Sequence, residues 1–193
     1  GGTGSATLAI GLGGVASAQK AIAIGNGATA STSGSIALGR GSMCAGRLGG
    51  FRLNPNGGKS LSASYQICQS LGATTDATPT KIFLASGGST DGNLVIGTST
   101  TVQFTVWVQA SKNDSSSDGA CYKLEGAVTR DNNGSNNPTL LGSISKTVIH
   151  ESDAGMDVGI TIDNTNKSLD LTVTGKAATN FNWCATWHLH QNQ

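Results

Sequence analysis

Thr7-Leu-Ala-Ile-Gly-Leu-Gly-Gly-Val-Ala16, Ala21-Ile-Ala-Ile-Gly-Asn-Gly-Ala-Thr-Ala30 and Ser35-Ile-Ala-Leu-Gly-Arg-Gly-Ser-Met-Cys44 are three copies of one pattern. Gly11, Gly25 and Gly39 stand 14 residues apart, and Gly13, Gly27 and Gly41 follow in the same register. So do the small residues Ala9, Ala23 and Ala37 and the aliphatic pairs Leu8/Ile10, Ile22/Ile24 and Ile36/Leu38. Alternation along a short strand puts Leu8 and Ile10 on one face and Ala9 on the other, where only a methyl fits. The Gly-x-Gly that follows has the backbone freedom to turn sharply, and a small stretch such as Gly27-Ala28-Thr29-Ala30 makes the return leg. Each unit is then one coil of a parallel β-solenoid. Its interior is expected to be only aliphatic and alanine wide, with the aliphatic side chains committed to the coil. Cys44 stands in register with Ala16 and Ala30, as a small interior residue.

Three such thin coils bury too little apolar area to offset their ordering entropy. The stem is expected to need neighbours, most economically identical chains around one axis. The pattern A-I-A-I-G-x-G-A-x-A followed by S-I-A-L-G-x-G-S resembles the head repeat of trimeric autotransporter adhesins, a left-handed parallel β-roll that also recurs in bacteriophage tail fibres. The resemblance covers residues 6–46 and implies a parallel homotrimer on a three-fold axis.

Beyond the repeat, residues 47–72 read as a neck: turn formers from Arg47 to Gly58, then a short strand over Ser64–Cys68. From Ala73 the pattern becomes regular strands. Val102, Phe104, Val106 and Val108 alternate on one face, as do Met156, Val158, Ile160 and Ile162, then Leu169, Leu171 and Val173. Phe181, Trp183, Ala185, Trp187 and Leu189 line one face of a final strand. With Lys81–Ala85, Leu94–Ile96, Cys121–Arg130 and Leu140–Ile149, about eight strands predict an antiparallel, jelly-roll-like β-sandwich. Polar turns separate them, among them Ser86–Ser89, Asn113–Gly119, Asp131–Pro138 and Asn164–Asn166. No stretch has a helical period or heptads. The expected organisation is an all-β chain: a β-roll stem (1–46), a neck (47–72) and a β-sandwich head (73–193). The segments Ala73–Thr80 and Val173–Gly175 with Trp183–Thr186 are similar to C-terminal modules of phage tail fibres and receptor-binding proteins.

Charged residues are only 12% of the chain, with Lys+Arg 12 against Asp+Glu 11, and the basic residues never cluster. Such a surface has no field to hold a phosphate backbone, which argues against nucleic acid. No apolar run is long enough to span a bilayer. Leu8–Ala18 has the look of a signal-peptide core but lacks a basic leader, and the repeat accounts for it better. Beginning at Gly1, the chain is expected to be a fragment or a trimmed product. Cys44, Cys68, Cys121 and Cys184 are scattered without metal-ligand spacing and read as thiols of a protein assembled in a reducing cytoplasm.

Few residues carry chemistry. His150, His188 and His190 stand near no Gly-x-Ser-x-Gly turn, so a catalytic triad is not expected. Glu125 and Glu151 are the only glutamates, and a glycan-cleaving pair would need them face to face. Asp114, Asp118, Asp131, Asn132 and Asn133 are oxygen donors for calcium by type, but without the spacing of a dedicated loop they read as turn residues. Trp183 and Trp187 share an apolar face and are expected in the core. Trp107 stands opposite its strand's Val/Phe face, with Thr105 and Gln109, and is the candidate for exposure or a subunit contact. Period 2 puts His188 and His190 on the polar face opposite Trp187 and Leu189. In a trimer these imidazoles would gather six nitrogens near the axis, an arrangement similar to some phage fibre tips, but a solvated strand end is expected and no metal, cofactor or catalytic residue is assigned.

The resemblances together imply the distal part of a phage tail fibre, non-catalytic and trimeric, carried in the virion after assembly in the host cytoplasm. Its expected partners are its own copies, an upstream fibre or tail protein, and a bacterial surface glycan or protein. Binding is expected on the head loops Asn113–Gly119 and Asp131–Pro138, with Trp107. The alternatives are a trimeric bacterial adhesin head on a cell surface, a tailspike glycan hydrolase, and a purely structural shaft.

Overall fold

The computed structural model describes residues 1–44, 50–54, 64–84, 92–114, 118–132 and 136–192. The chain is all-β, with no α-helix among these residues. It divides into two units, one of Gly1–Cys68 with His188–Gln193, the other of Gln69–Trp187.

In the first unit, β1 (Leu8–Ile10), β3 (Ile22–Ile24) and β5 (Ile36–Leu38) pair in parallel, Ala9 beside Ala23 and Ala23 beside Ala37. The return legs β2 (Val15–Ala16), β4 (Thr29–Ala30) and β6 (Met43–Cys44) form a second parallel sheet, with Ala16, Ala30 and Cys44 in one row. This is the 14-residue coil read from the sequence. Gly11, Gly25 and Gly39 take φ values of 115°, 136° and 100°, which side chains disfavour. Each also lies hard against the backbone of the next coil.

The interior differs from expectation in one respect. Among the described residues its apolar cluster is Ala16, Ala21, Ala23, Ala28, Ala30, Ala37 and Cys44, all fully buried. None of the paired aliphatic side chains is buried in the coil: Leu8, Ile10 and Ile24 are 45%, 51% and 37% exposed, and Ile22, Ile36 and Leu38 are half-buried. Two legs close enough for methyls to meet leave no room for a Leu or Ile, and strand alternation sends the other face outward.

Parallel pairing also runs one strand beyond the repeat. β7 (Phe51–Leu53) joins β5, with Phe51 beside Ile36 and Arg52 beside Ala37. Arg52 thus stands in the row of interior alanines, half-buried, and donates from Nη1 to the Met43 carbonyl at 2.8 Å. Burial pulls its pKa below the usual guanidinium value. β8 (Ser64–Thr74) then runs antiparallel to β7 and is longer than the short strand expected. Residues 45–49 and 55–63, which include part of the expected neck, lie outside the described residues.

Antiparallel pairing dominates the second unit. It contains β9 (Thr80–Leu84), β10 (Leu94–Val95), β11 (Thr100–Lys112), β12 (Gly119–Arg130), β13 (Pro138–Leu140), β14 (Ser145–Glu151), β15 (Asp157–Asp163) and β16 (Ser168–Thr174). It also holds most of β17 (Phe181–Asn192). One sheet runs β8-β17-β11-β12, with β13 and β14 both on the far side of β12. The other layer places β16 between β9 and β15, with β10 also on β16, and is continuous with the first where β9 pairs β8, Ser70 beside Leu84. The sandwich core takes the faces that alternation predicted: Val102, Phe104, Val106 and Val108 from β11, Leu169, Leu171 and Val173 from β16, and Phe181, Trp183, Ala185 and Trp187 from β17. The expected strand Leu140–Ile149 is instead two, β13 and β14, parted at Gly142 with φ 85°. No helix among the described residues is long and apolar enough to cross a membrane.

Candidate ligand-binding face

β11 and β12 form a twelve-pair hairpin from Thr100 opposite Arg130 to Ser111 opposite Gly119. Every second residue of β11 faces away from the core, which exposes Gln103, Trp107 and Gln109 and half-exposes Thr105. Cross-strand pairing then builds rows across the outer face. Trp107 lies beside Lys123 and Lys123 beside Thr147; Thr105 lies beside Glu125 and Glu125 beside Ser145; Gln109 lies beside Cys121 and Cys121 beside His150. Trp107 is 45% exposed, on a rigid strand with a buried residue on either side. The Lys123 ammonium sits 5.5 Å from the centroid of the Trp107 ring and 2.9 Å from the Glu125 carboxylate. The two charges therefore offset each other, and the rest of these rows carries hydrogen-bonding side chains apart from Cys121.

The other two tryptophans are in the core, as alternation implied. Trp183 donates from Nε1 to Thr74 Oγ1 and Trp187 from Nε1 to Ser70 Oγ, each at 2.9 Å. Both indoles are buried with their polar atom satisfied, so neither is offered to a ligand.

The loops read as one recognition surface are not brought together. Asn113–Gly119 lies at one end of the β11–β12 hairpin and Asp131–Pro138 at the other, eleven residue steps or about 37 Å apart. Ser115–Ser117 and Asn133–Ser135 lie outside the described residues, as does the turn Ser86–Ser89. The same hairpin parts Asp114 and Asp118 from Asp131 and Asn132, so these donors do not converge on one point; Asn133 is outside the described residues. Asp114 instead pairs with Lys112 at 3.2 Å.

Glu125 and Glu151 do not face each other. Glu151 lies opposite Ala120, on the core side of β12, and accepts a hydrogen bond from the Tyr122 hydroxyl at 3.0 Å; Glu125 points outward, about 17 Å along the strand. Burial first, and then this carboxylate, push the Tyr122 phenol well above its usual range. The histidines separate as well. His150 is on β14, whereas His188 and His190 extend β17 in the first unit, where the Tyr65 hydroxyl meets His188 Nδ1 and the Tyr65 ring lies 4.9 Å from that of His190. That cluster was not foreseen, because Tyr65 is 123 residues away in sequence. Cys121 and Cys184 are half-buried free thiols, whereas Cys44 and Cys68 are buried and the Cys44 thiol donates to the Gly50 carbonyl at 3.2 Å.

No family model matches the chain, and no curated protein matches it. Among solved structures, it is similar to the crystal structure of the tailspike protein gp49 from Acinetobacter baumannii bacteriophage Fri1, a capsular polysaccharide depolymerase. The TM-score is 0.34 at 11% identity, over 66% of this chain and 17% of that one. The chain thus spans about a sixth of that tailspike, and a likeness so distant carries no argument about fold or activity.

Proposed function

We propose that this chain is the distal, receptor-binding part of a phage tail fibre: a parallel homotrimer that attaches to a bacterial surface glycan or protein and performs no catalysis. One observation carries the reading. The roll has an interior of methyls and wears its large aliphatic side chains outside, so its best apolar surface is left for another copy to cover. A coil that completes its core only beside its own copies makes a fibre segment, and the repeat's resemblance to adhesin heads and tail fibres supports the same reading. The rigid sandwich with an outward Trp107 supplies a surface for attachment. Its partners on this reading are its own copies, the upstream tail protein and the bacterial receptor, and its location is the virion.

Light scattering on the recombinant chain tests the assembly, with a trimer mass expected at micromolar concentration and a monomer mass overturning it. Labelled chain is expected to coat susceptible bacteria and to block phage adsorption. Release of oligosaccharide from host capsule would instead favour a depolymerase, and failure to coat any cell would favour a purely structural shaft.

A further inference from the structure

We infer that Trp107 is the stacking platform of a site for an uncharged, hydroxyl-rich glycan, laid across the outer face of β11, β12 and β14. The inference rests on the adhesive reading above and specifies where and what the chain binds. Of the three tryptophans in the sequence, only Trp107 presents its ring to solvent; the others are sealed in the core by Thr74 and Ser70. An exposed indole costs solvation free energy that only a ligand or a partner recovers, and its flat apolar ring matches the C–H face of a pyranose.

The neighbours fix the ligand class. Gln103, Thr105 and Gln109 share the outward face of β11 with Trp107, two and four residues away. Amides and hydroxyls both donate and accept, as sugar hydroxyls do. Glu125, beside Thr105, only accepts and so suits a hydroxyl donor; with its charge offset by Lys123, the pair leaves no net positive charge for a uronate or phosphate to seek. Lys123, the one nearby ammonium in these rows, is engaged by Glu125 and by the indole, and offers no free cation to an acidic polysaccharide. A protein partner is a poorer match, because the indole's cross-strand neighbours are polar and the exposed aliphatics of β14, Val148 and Ile149, stand two strands away from it, without the single apolar centre that such interfaces carry.

The test uses the full chain against an array of neutral oligosaccharides (maltoheptaose, N-acetylchitohexaose, galacto-oligosaccharides) and acidic ones (oligogalacturonate, oligosialic acid), with tryptophan emission as a second readout. Because the other two indoles are buried, a saturable change in emission reports on Trp107. A neutral probe is expected to bind, with Trp107→Ala weakening it roughly 10- to 100-fold and Trp107→Phe weakening it less, while melting and oligomer mass stay as in the parent. Glu125→Lys is expected to move selectivity toward the acidic probes. The inference is overturned if only acidic probes bind, if no neutral probe binds, if Trp107→Ala binds as the parent does, or if Trp107→Ala breaks up the oligomer, which would make Trp107 a subunit contact. Coating of cells by a chain that ignores every neutral probe would sink this inference and leave the adhesive reading standing. Absence of both would sink both.

Discussion

Gly25 lies so close to Gly39 in the next coil that a β-carbon on Gly25 would come within 2.4 Å of the Gly39 carbonyl oxygen. Gly25 also holds a φ of 136°, so neither the space nor the backbone admits a side chain. Gly27, two residues on, has a φ of 67° but nothing within 4 Å of its missing β-carbon. Gly25→Ala is expected to cost at least about 2 kcal/mol, whereas Gly27→Asn, suited to the left-handed region, should cost well under 1 kcal/mol. Thermal melting of the two variants checks the contrast. Equal melting temperatures would mean that the coils are not stacked as described.

The two faces of the repeat strand should respond in opposite ways. Ala23→Leu and Ala37→Leu push a branched side chain into a space filled by methyls and are expected to lower stability by roughly 1–3 kcal/mol. Ile10→Asp and Ile24→Asp, on the outward face, should leave the strand signal in circular dichroism and reduce the oligomer mass in light scattering. If the outward variants keep the full oligomer mass, the aliphatic stripe is not the subunit contact.

How far the sequence led depended on which physical signal each element carries. The 14-residue spacing of Gly11, Gly25 and Gly39 exposes the coil directly, because only glycine fits where coils touch. Alternation likewise separates Trp183 and Trp187 from Trp107. It places Ala23 and Ala37 inside, as found, but it does not show that the aliphatic residues, expected to be committed to the coil as well, face outward from so thin a roll. The strand β7 escaped notice because Phe51 follows Ile36 by 15 residues and Arg52 stands where the repeat has alanine. The candidate binding face needed three strands in register, and the cross-strand rows through Lys123 and Glu125 are set by pairing, which no local pattern contains.

Thr74 and Ser70 each hold a buried indole by one hydroxyl. Replacing Thr74 with Val keeps the shape and strips the acceptor, which leaves Trp183 Nε1–H buried and unpaired. A loss of about 1–3 kcal/mol is expected from denaturant unfolding. Trp183→Phe in the Thr74→Val background removes the orphaned donor, so the pair should show coupling in a double-mutant cycle. Simple additivity would mean that the hydrogen bond contributes nothing.

Gly126 closes the packing on the other side of the hairpin, where a β-carbon would lie 2.7 Å from the tip of the buried Phe104 ring. Phe104 also meets Trp187 edge to face, with centroids 6.1 Å apart, so the ring has little room to retreat. Gly126→Ala is therefore expected to destabilise the sandwich by about 1–3 kcal/mol. Gly126→Ala combined with Phe104→Leu should recover part of that loss. A single variant that melts like the parent would show that Phe104 can shift freely.

Tyr122 gives the sandwich an alkaline limit. Burial and the hydrogen bond to Glu151 raise the pKa of its phenol in the folded chain. The unfolded chain releases the phenolic proton near pH 10, while the folded chain still holds it. Between these two pKa values the folded state binds the extra proton, so stability falls as pH rises. The contribution is fully present below pH 10 and is lost from there toward the raised folded value, by at most about 1.4 kcal/mol per pH unit. Melting temperatures from pH 8 to 11.5 should therefore drop more steeply for the parent than for Tyr122→Phe, which has no proton to lose. The substitution also removes the hydrogen bond, so the variant should start lower at pH 8 and the two curves converge as the pH rises. Parallel curves across that range would show that Tyr122 ionises as readily folded as unfolded.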